Sequence, residues 1–342
     1  MTEISIIGLD TAKSIFQLHG IDASGDAQLV RRLKRSEVLK FFAKQPACVV
    51  ALEACGASHY WAREIEALGH QVKLIPPSFV KRFADTRRKT DARDAKALAF
   101  AGRSADLRPV PVKSAERQGA HLVIKARGLL VRQHTQVGNA LRGHLAEFGL
   151  VARTGNKGLE ELIAKVESCE AGLPDAAYAP LAALTSHWRA LEQDIAKLTH
   201  VLTAKAAADP AVKRLMSVPG VGPVIASVFA LKVDDPARFA CGRDCAAWLG
   251  LTPSEHSSGG KRKLGSITKA GDEDMRSLLV VGAASVLMRA KLKPEKADPW
   301  VRDILARRPF KVAAVALAAR MARTLWALMD SGAIYQPRHA RA

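Results

Sequence analysis

The sequence has few cysteines and no long apolar segment, and both shortages exclude classes of protein. Its 5 cysteines are odd in number and scattered, without CxxC spacing, which argues against a disulfide framework and against a cysteine zinc site. The longest apolar run, Leu278 to Met288, is too short to cross a bilayer. The first residues, MTEISIIGLD, lack the basic start of a signal peptide. We therefore expect a protein of the reducing cytoplasm.

Acidic residues are also scarce. Lys and Arg total 52 against 33 for Asp and Glu, which gives a formal net charge of +19 and a pI near 10.0. A charge this positive predicts a polyanionic partner. Nucleic acid is favoured over a membrane surface because the sequence carries neither a basic amphipathic tail nor a lipidation signal.

The N-terminal third alternates short apolar, β-branched runs with helical segments, which predicts an α/β domain. Asp10 directly follows the first predicted strand, and Glu53 directly follows the third. Open α/β sheets place their sites beyond the carboxyl ends of their strands, so both carboxylates are candidate site residues. Strands are predicted at Ile4–Leu9, Phe16–Ile21, Cys48–Leu52 and Gln71–Ile75, and helices at Ser36–Ala43 and Ser58–Leu68.

Asp91 and Asp94 stand three residues apart in the segment KTDARDAKAL, which reads as a helix. At this spacing the two carboxylates project from one helix face and repel each other. Positive charge must balance them, either from the neighbouring Arg87, Arg88, Lys89 and Arg93 or from a divalent cation. The pattern alone leaves open a solvated helix face with local ion pairs and a metal site.

Asp10, Glu53, Asp91 and Asp94 lie at strand ends or on the helix that is expected to pack beside those strands. A cluster of this kind can bind two divalent cations that polarise a phosphate and activate a nucleophile. Mg²⁺ suits a set of ligands made only of oxygen atoms. The order of strand Asp, later strand Glu and helical DxxD resembles that of the RuvC-like branch of the RNase H-like nucleases.

Long helices are predicted in the middle of the chain. An apolar stripe runs from Ser114 to Leu150, a glycine-containing break follows from Thr154 to Gly158, and a second stripe from Leu181 to Leu202 has heptad spacing. This pattern predicts a helical hairpin or coiled coil. An internal bundle is one interpretation, and the regularity of the seam favours self-association.

Leu215 to Ala226 resembles a helix-hairpin-helix. In such a motif, glycines such as Gly220 and Gly222 let backbone amides at a helix N-terminus meet a phosphate. The alternative is a tight turn between helices that packs on itself.

A polar, basic and glycine-rich loop spans Thr252 to Gly265. It holds Ser257 and Ser258 next to Gly259, and a run of basic residues follows. Its composition fits a flexible phosphate-binding loop, and it also fits a serine held against a phosphodiester. The basic candidates for nucleic-acid contact are Lys261, Arg262 and Lys263 in this loop and Lys269 beyond it.

Six motifs together resemble a known family, the DEDD transposases or recombinases of the bacterial insertion-sequence family numbered one-ten. The sequence Ser-Ser-Gly-Gly-Lys is similar to the subgroup numbered eleven-eleven, and the pilin-gene invertases are relatives. The motifs are GLDTAK at 8–13, ALEACG at 51–56, KTDARDAKAL at 89–98, VPGVGPVIA at 218–226, GLTPSEHSSGGKRKLG at 250–265 and ITKAGD at 267–272.

The resemblance implies an architecture of three parts. An α/β RNase H-like (RuvC-like) domain is expected over residues 1–112, and an α-helical coiled coil used in oligomerisation over 113–208. A mainly α-helical transposase domain with the helix-hairpin-helix-like motif is expected over 209–335. The protein would act in the bacterial cytoplasm, associated with the nucleoid, as a dimer or tetramer and without a membrane.

The resemblance also implies a mechanism. The acidic tetrad falls on Asp10, Glu53, Asp91 and Asp94, which would hold Mg²⁺ or Mn²⁺, and the nucleophilic serine falls on Ser258. The serine would attack a DNA phosphodiester and form a transient phosphoserine link. Relatives use a structured noncoding bridge RNA that pairs with target DNA and with the element ends, so base pairing would carry sequence specificity.

Two further interpretations compete with this RNA-guided recombinase. One is a metal-dependent, RuvC-like junction-resolving nuclease that uses only the acidic residues and no serine chemistry. The other is a non-catalytic nucleic-acid scaffold that uses the helical hairpin and the basic surfaces, and that would tolerate loss of the tetrad.

Overall fold

A computed structural model of the protein describes residues 3–84, 90–169, 172–204, 209–257, 259–261 and 263–337. The chain forms two compact units, residues 1–118 and 119–342. The helices of the predicted middle region and those of the predicted C-terminal region belong to the second unit.

The first unit contains a mixed sheet of five strands in the order β3-β2-β1-β4-β5. β2 pairs antiparallel with β1 and with β3, whereas β4 runs parallel to β1 and to β5. The predicted α/β architecture is thereby confirmed. The strands are β1 (Ile6–Asp10), β2 (Ile15–Ile21), β3 (Ala27–Lys34), β4 (Val49–Glu53) and β5 (Gln71–Ile75).

Helices cover both faces of this sheet. Because side chains alternate between faces along a strand, Ile7 and Leu9 of β1 pack with one set of helices, whereas Ile6 packs with the other. The first face is covered by α1 (Val38–Phe42) and α2 (Ser58–Ala67), and the second by α3 (Pro77–Val80) and α4 (Asp91–Arg103).

β3 was not predicted, because its sequence AQLVRRLK does not alternate cleanly between apolar and polar residues. Of its side chains only that of Leu33 is buried. The strand forms by pairing with β2 along its length. It is an edge strand, and its charged residues Arg31, Arg32 and Lys34 oppose pairing with a further strand.

α4 lies directly against β1 and β4, and two glycines permit this close approach. A Cβ atom at Gly8 would clash with the carbonyl oxygen of Ala95 and lie 2.5 Å from the Ala99 nitrogen. A Cβ atom at Gly102 would lie 2.9 Å from the Ala51 Cβ atom. Backbone of the helix and backbone of the strand therefore touch without an intervening side chain.

The second unit opens with three helices that share a core. They are α5 (Ala115–Ala146), α6 (Asn156–Glu167) and α7 (Asp175–Ala204), of which α6 was not predicted. Leu181 and Trp188 of the predicted heptad seam are buried in this core, beside Leu141 of α5 and Leu162 of α6. These seam residues thus pack within the chain.

The remaining helices surround a second core, in which α9 (Pro223–Lys232), α11 (Glu273–Leu292) and α13 (Phe310–Ser331) contribute most of the buried residues. α13 is long and apolar enough to cross a membrane by length and composition, but half of its most apolar window is buried in the protein. The elements are α8 (Pro210–Met216), α9 (Pro223–Lys232), α10 (Gly242–Trp248), β6 (Pro253–Glu255), β7 (Leu264–Ile267), α11 (Glu273–Leu292), α12 (Pro299–Arg307) and α13 (Phe310–Ser331).

A buried lysine joins α9 to α11, and a second lysine links α5 to the same carboxylates. The side chain of Lys232, at the end of α9, is only 2% exposed, and its Nζ atom lies 2.5 Å from Asp272 and 3.4 Å from Asp274. Asp272 also caps α11 by accepting a hydrogen bond from the Met275 N–H at 2.8 Å. Lys125 of α5 binds Asp274 at 2.7 Å. Burial raises the pKa of Asp274, but the hydrogen bond from Lys125 and the charge of Lys232 outweigh burial and lower it.

We expect Gly8→Ala to destabilise the protein by about 1–3 kcal/mol, because the added methyl group separates α4 from β1. Chemical denaturation followed by circular dichroism measures this change. Gly56→Ala is the matched control, since a Cβ atom at Gly56 meets no atom within 4 Å, and its effect should stay within about 0.5 kcal/mol. Equal stability of the two variants would contradict the close packing of α4 on β1.

We expect Lys232→Ala to destabilise the protein by about 3–5 kcal/mol, because it leaves Asp272 without its buried cation and Asp274 with Lys125 alone. Lys197→Ala removes an exposed ion pair with Asp194 and should cost at most about 1 kcal/mol. The lowered pKa of Asp274 means that its contribution is present above the ordinary value of 3.8 and is lost as the pH falls below it. The difference between Lys232→Ala and wild type should therefore shrink in acid, and a pH-independent difference would refute the ion-pair explanation.

Candidate functional site

Asp10 and Glu53 lie side by side at one edge of the sheet. They are the last residues of the parallel neighbours β1 and β4, in which Leu9 pairs with Leu52. Alternation along the strands places both carboxylates on the face that α4 covers, because Ile6 and Ala51 pack on that face. Both side chains are half-buried. The sheet therefore brings together two of the predicted site residues.

The first turn of α4 lies at the same edge. Gly102 meets β1 near Ile6, whereas Ala95 meets it at Gly8, so the helix runs antiparallel to the strand. Asp10 is two strand residues beyond Gly8, a span of about 6.6 Å, and Asp91 is four helical residues before Ala95, a span of about 6 Å. This places Asp91 level with Asp10, whereas Asp94, one residue before Ala95, lies nearer the level of Gly8.

The N-terminus of α4 suits two carboxylates. Thr90 caps the helix, because its side chain accepts a hydrogen bond from the Arg93 N–H at 3.4 Å and its carbonyl group accepts one from the Asp94 N–H at 3.0 Å. The helix dipole favours negative charge in this first turn. Asp91 is exposed and Asp94 is half-buried. Arg87, Arg88 and Lys89, the predicted cationic neighbours, lie outside the described residues.

The four carboxylates have the right chemistry for a hard divalent cation, since all their donor atoms are oxygens. Their carrier elements converge on one edge, as described above. Within the part of the chain that the structure describes, however, no three His, Cys, Asp or Glu side chains are arranged to hold a metal ion. The carboxylate oxygens are thus the right kind of ligand for a divalent cation. To bind one, the four side chains would have to turn toward a common centre.

Two further residues on the α4 face escaped sequence reasoning. Gln17 pairs with Asp10 across the β1–β2 ladder, and His19 pairs with Gly8. Burial lowers the pKa of His19, and the nearby charge of Lys96 lowers it further. The His19 Nε2 atom is buried and has no hydrogen-bond partner among the described residues. The alternation of polar and apolar residues in IFQLHGI was the signal that could have identified both.

The end of the sheet that carries Asp10 and Glu53, with the first turn of α4 beside it, is called the acidic edge below. The loop after β4 is tightly fixed next to it. The Ala54 N–H donates to the Ile75 carbonyl at 2.8 Å, and the Thr11 hydroxyl lies 3.5 Å from the Cys55 sulfur. Ala57 has a φ of 66°, in the left-handed region that a non-glycine residue seldom occupies. These contacts hold the segment between Glu53 and α2 in a defined conformation.

The structure corrects the predicted loop Thr252–Gly265, because both of its ends form strands. β6 and β7 pair antiparallel as a hairpin, and the described residues between them connect the two strands. The Ser257 hydroxyl donates to Glu255 at 2.7 Å and accepts from the Lys263 N–H at 3.1 Å. Gly259 and Gly260 have positive φ values of 56° and 76°. Ser258 and Arg262, two predicted site residues, lie outside the described residues. Lys261 and Lys263 are exposed.

Close backbone contacts fix the base of this hairpin. A Cβ atom at Gly271 would clash with the Trp248 carbonyl oxygen, and one at Gly250 would clash with the Ala270 carbonyl oxygen. The Lys269 N–H donates to the Gly250 carbonyl at 3.1 Å, and Lys269 itself is exposed. The motifs at 250–265 and 267–272 therefore meet in space, and both carry glycines for that reason.

Two helices, α8 and α9, flank Gly220 and Gly222, where the helix-hairpin-helix-like motif was predicted, and the assignment of that motif stays a prediction. Gly220 has a φ of 83°, and a Cβ atom there would lie 2.7 Å from the Gly282 carbonyl oxygen of α11. Packing against α11 is thus sufficient to explain this glycine. Gly222 is exposed at the N-terminus of α9, with no atom within 4 Å of a Cβ built there. Phosphate binding by these two glycines stays a prediction.

Comparison with known families matches both parts of the chain. A family model described as Transposase IS116/IS110/IS902 family matches residues 212–300, which include the hairpin and its base. A second model, DEDD_Tnp_IS110, described as a transposase, matches residues 7–149, which include the acidic edge.

Individual relatives are similar over nearly the full length. The probable family 20 transposase of Pseudomonas aeruginosa is 44% identical, covering 98% of this chain and 99% of the relative. The transposase for insertion sequence element IS1111A of Coxiella burnetii is 35% identical, covering 98% and 92%. The transposase for insertion sequence element IS1328 of Yersinia enterocolitica is 33% identical, covering 98% and 99%.

Proposed function

The chain belongs to the IS116/IS110/IS902 family of transposases, and from this premise we propose that it is an RNA-guided, site-specific DNA recombinase. In this proposal the carboxylates of the acidic edge and a serine both take part in catalysis. Transposases bind, cut and rejoin DNA. The observation that carries the proposal is the convergence of Asp10, Glu53, Asp91 and Asp94 on one edge of the sheet. The mixed sheet with its acidic edge also supports the RNase H-like assignment.

The acidic edge is proposed to hold Mg²⁺, or Mn²⁺, through its four carboxylates. When bound, the cation would polarise the scissile phosphate and stabilise the leaving oxygen. The protein's own contribution is to preorganise the carboxylates. β1 and β4 fix the spacing of Asp10 and Glu53, and the capped N-terminus of α4 offsets the repulsion between Asp91 and Asp94.

Ser258 is proposed as the nucleophile. Its Oγ atom would form a bond to phosphorus while the bond from phosphorus to a deoxyribose oxygen breaks, and the serine proton would pass to that leaving oxygen. A deoxyribose hydroxyl of the receiving strand would then displace the serine and restore it. The exposed hairpin tip, its two glycines and the cations Lys261 and Lys263 support this role, because they leave room for a phosphodiester and attract it.

A bridge RNA and self-association complete the proposal. The net charge of +19 suits an extended polyanion such as a structured RNA. On α5, Leu122 and Leu129 are 66% and 48% exposed and stand one heptad apart. Such a stripe suits pairing with a second copy in a dimer or tetramer.

We expect Asp91→Asn to reduce recombination in cells by at least about 10²–10³-fold while DNA binding persists, as for the loss of a group that acts mainly in the transition state. Asp106→Asn, a change of the same kind at an exposed carboxylate of the first unit, should leave recombination unchanged. Recombination is scored by sequencing the junctions of a plasmid-borne element. Full activity of Asp91→Asn would refute the metal site and favour the non-catalytic scaffold.

We expect a covalent complex between the protein and a DNA substrate to be trapped by rapid denaturation, and we expect Ser258→Ala to abolish it. Ser257→Ala is the neighbouring control and should retain the complex, although its loop loses two hydrogen bonds. Mass spectrometry of the digested complex locates the modified residue. Strand cleavage without any covalent complex would instead favour the junction-resolving nuclease that uses only the acidic residues.

A further inference from the structure

We propose that a cavity at the acidic edge of the first unit binds an unpaired nucleotide of the DNA strand being cut. The cavity measures about 770 Å³ and is lined by Lys13, Ile15, Lys34, Arg35, Tyr60 and Trp61. Its size lies within the range of about 300–1,000 Å³ that is usual for sites of small ligands. This inference rests on the proposed function, because the bound nucleotide would belong to the same DNA strand on which the carboxylates act.

All the lining elements lie at the edge of the sheet that carries the carboxylates. Lys13 is in the turn that follows Asp10, and Ile15 pairs with Lys34 beyond the pair formed by Asp10 and Gln17. Tyr60 and Trp61 are in the first turn of α2, which follows Glu53 through a short loop. Trp61 belongs to the sheet face that α1 and α2 cover, whereas the carboxylates lie on the α4 face, so a DNA strand that occupies both would cross this end of the sheet.

The charge of the cavity suits a phosphate backbone. Lys13, Lys34 and Arg35 are exposed, and none of the described residues that line the cavity is acidic. The Arg35 N–H donates to the Ser14 carbonyl at 2.9 Å, which ties the β1–β2 turn to the end of β3. The cations thus stand on a fixed backbone rather than on a free loop.

Aromatic rings form the floor of the cavity and offer a surface for stacking. The Arg35 guanidinium lies 4.9 Å from the ring centre of Trp61. The Tyr60 ring meets Trp61 edge to face at 5.2 Å and remains 40% exposed, whereas Trp61 is 3% exposed. The buried Trp61 N–H has no hydrogen-bond partner among the described residues. Tyr60 is therefore the ring that a base can reach.

The combination of cations and one accessible ring selects an unpaired base. In a continuous duplex the base faces are covered by their neighbours, whereas a base in a gap or splayed strand can stack on a tyrosine. Alternation of rings and cations along one groove is how single strands are bound without sequence preference. The cavity would thus hold a strand open beside the carboxylates.

The experiment measures binding of the full-length protein to two fluorescein-labelled DNAs of equal length, one continuous duplex and one with a short single-stranded gap. We expect Tyr60→Leu to weaken binding of the gapped DNA about tenfold, within the range for loss of one stacked base. Binding of the continuous duplex should change less than about twofold. Tyr60→Phe keeps the ring and should behave as wild type, which separates stacking from a folding defect.

A reporter base and a charge variant sharpen the result. 2-Aminopurine placed in the gap should be quenched by wild type and by Tyr60→Phe but not by Tyr60→Leu. The logarithm of the gapped-DNA binding constant falls linearly with the logarithm of the salt concentration, and Lys13→Gln should reduce that slope by about the amount expected for one phosphate contact. Lys44→Gln, an exposed lysine of the same unit that does not line the cavity, should leave it unchanged.

Three outcomes would overturn the inference. They are no loss of gapped-DNA binding in Tyr60→Leu, an equal loss for both DNAs, and tighter Tyr60-dependent binding of single-stranded RNA of the same sequence, which would make RNA the occupant. Failure of the proposed function is distinguishable, because it appears as full recombination by Asp91→Asn. If Asp91→Asn is inactive while Tyr60→Leu binds gapped DNA normally, this inference alone fails.

Discussion

The contact between the backbones of α4 and β1 is the constraint on which the acidic edge depends. Gly8 allows α4 to lie against the sheet, and Ala95 and Ala99 are small enough to complete the contact. Because the helix runs antiparallel to the strand, this contact also sets how far the Asp91 turn extends beyond the sheet. A larger residue at position 8 would displace the helix as a whole, and with it half of the carboxylates.

The acidic edge could be predicted from the sequence because its signals are local. A strand that ends in a carboxylate, as at Asp10, and a capped helix with two acids in its first turn are both readable along the chain. β3 and α6 could not be predicted, since β3 gains its structure from pairing with β2, and α6 begins inside the glycine-containing stretch Thr154–Gly158, which predicts a break. Gln17 was missed because its role depends on cross-strand register.

In the second unit, too, features that depend on residues distant in sequence could not be predicted. A loop was predicted at Thr252–Gly265, but both of its ends form strands, and the base of that hairpin depends on contacts between residues distant in sequence, such as Gly271 with Trp248. Nothing in the sequence distinguishes Lys232 from the other lysines, because its burial beside carboxylates depends on how the helices pack. Glycine and lysine are common residues, so their special positions follow from the neighbours that the fold supplies and not from their own type.

The Gly8 contact also determines when the acidic edge can exist. β1, β2 and β3 pair with near neighbours along the chain and can form early, whereas Gly8 must wait for Ala95, far along the sequence. During synthesis, a ribosome-bound chain therefore exposes Asp10 and Glu53 well before α4 emerges to complete the set. In terms of the proposed function, a chain that is still being synthesised lacks half of the carboxylates that would hold the cation.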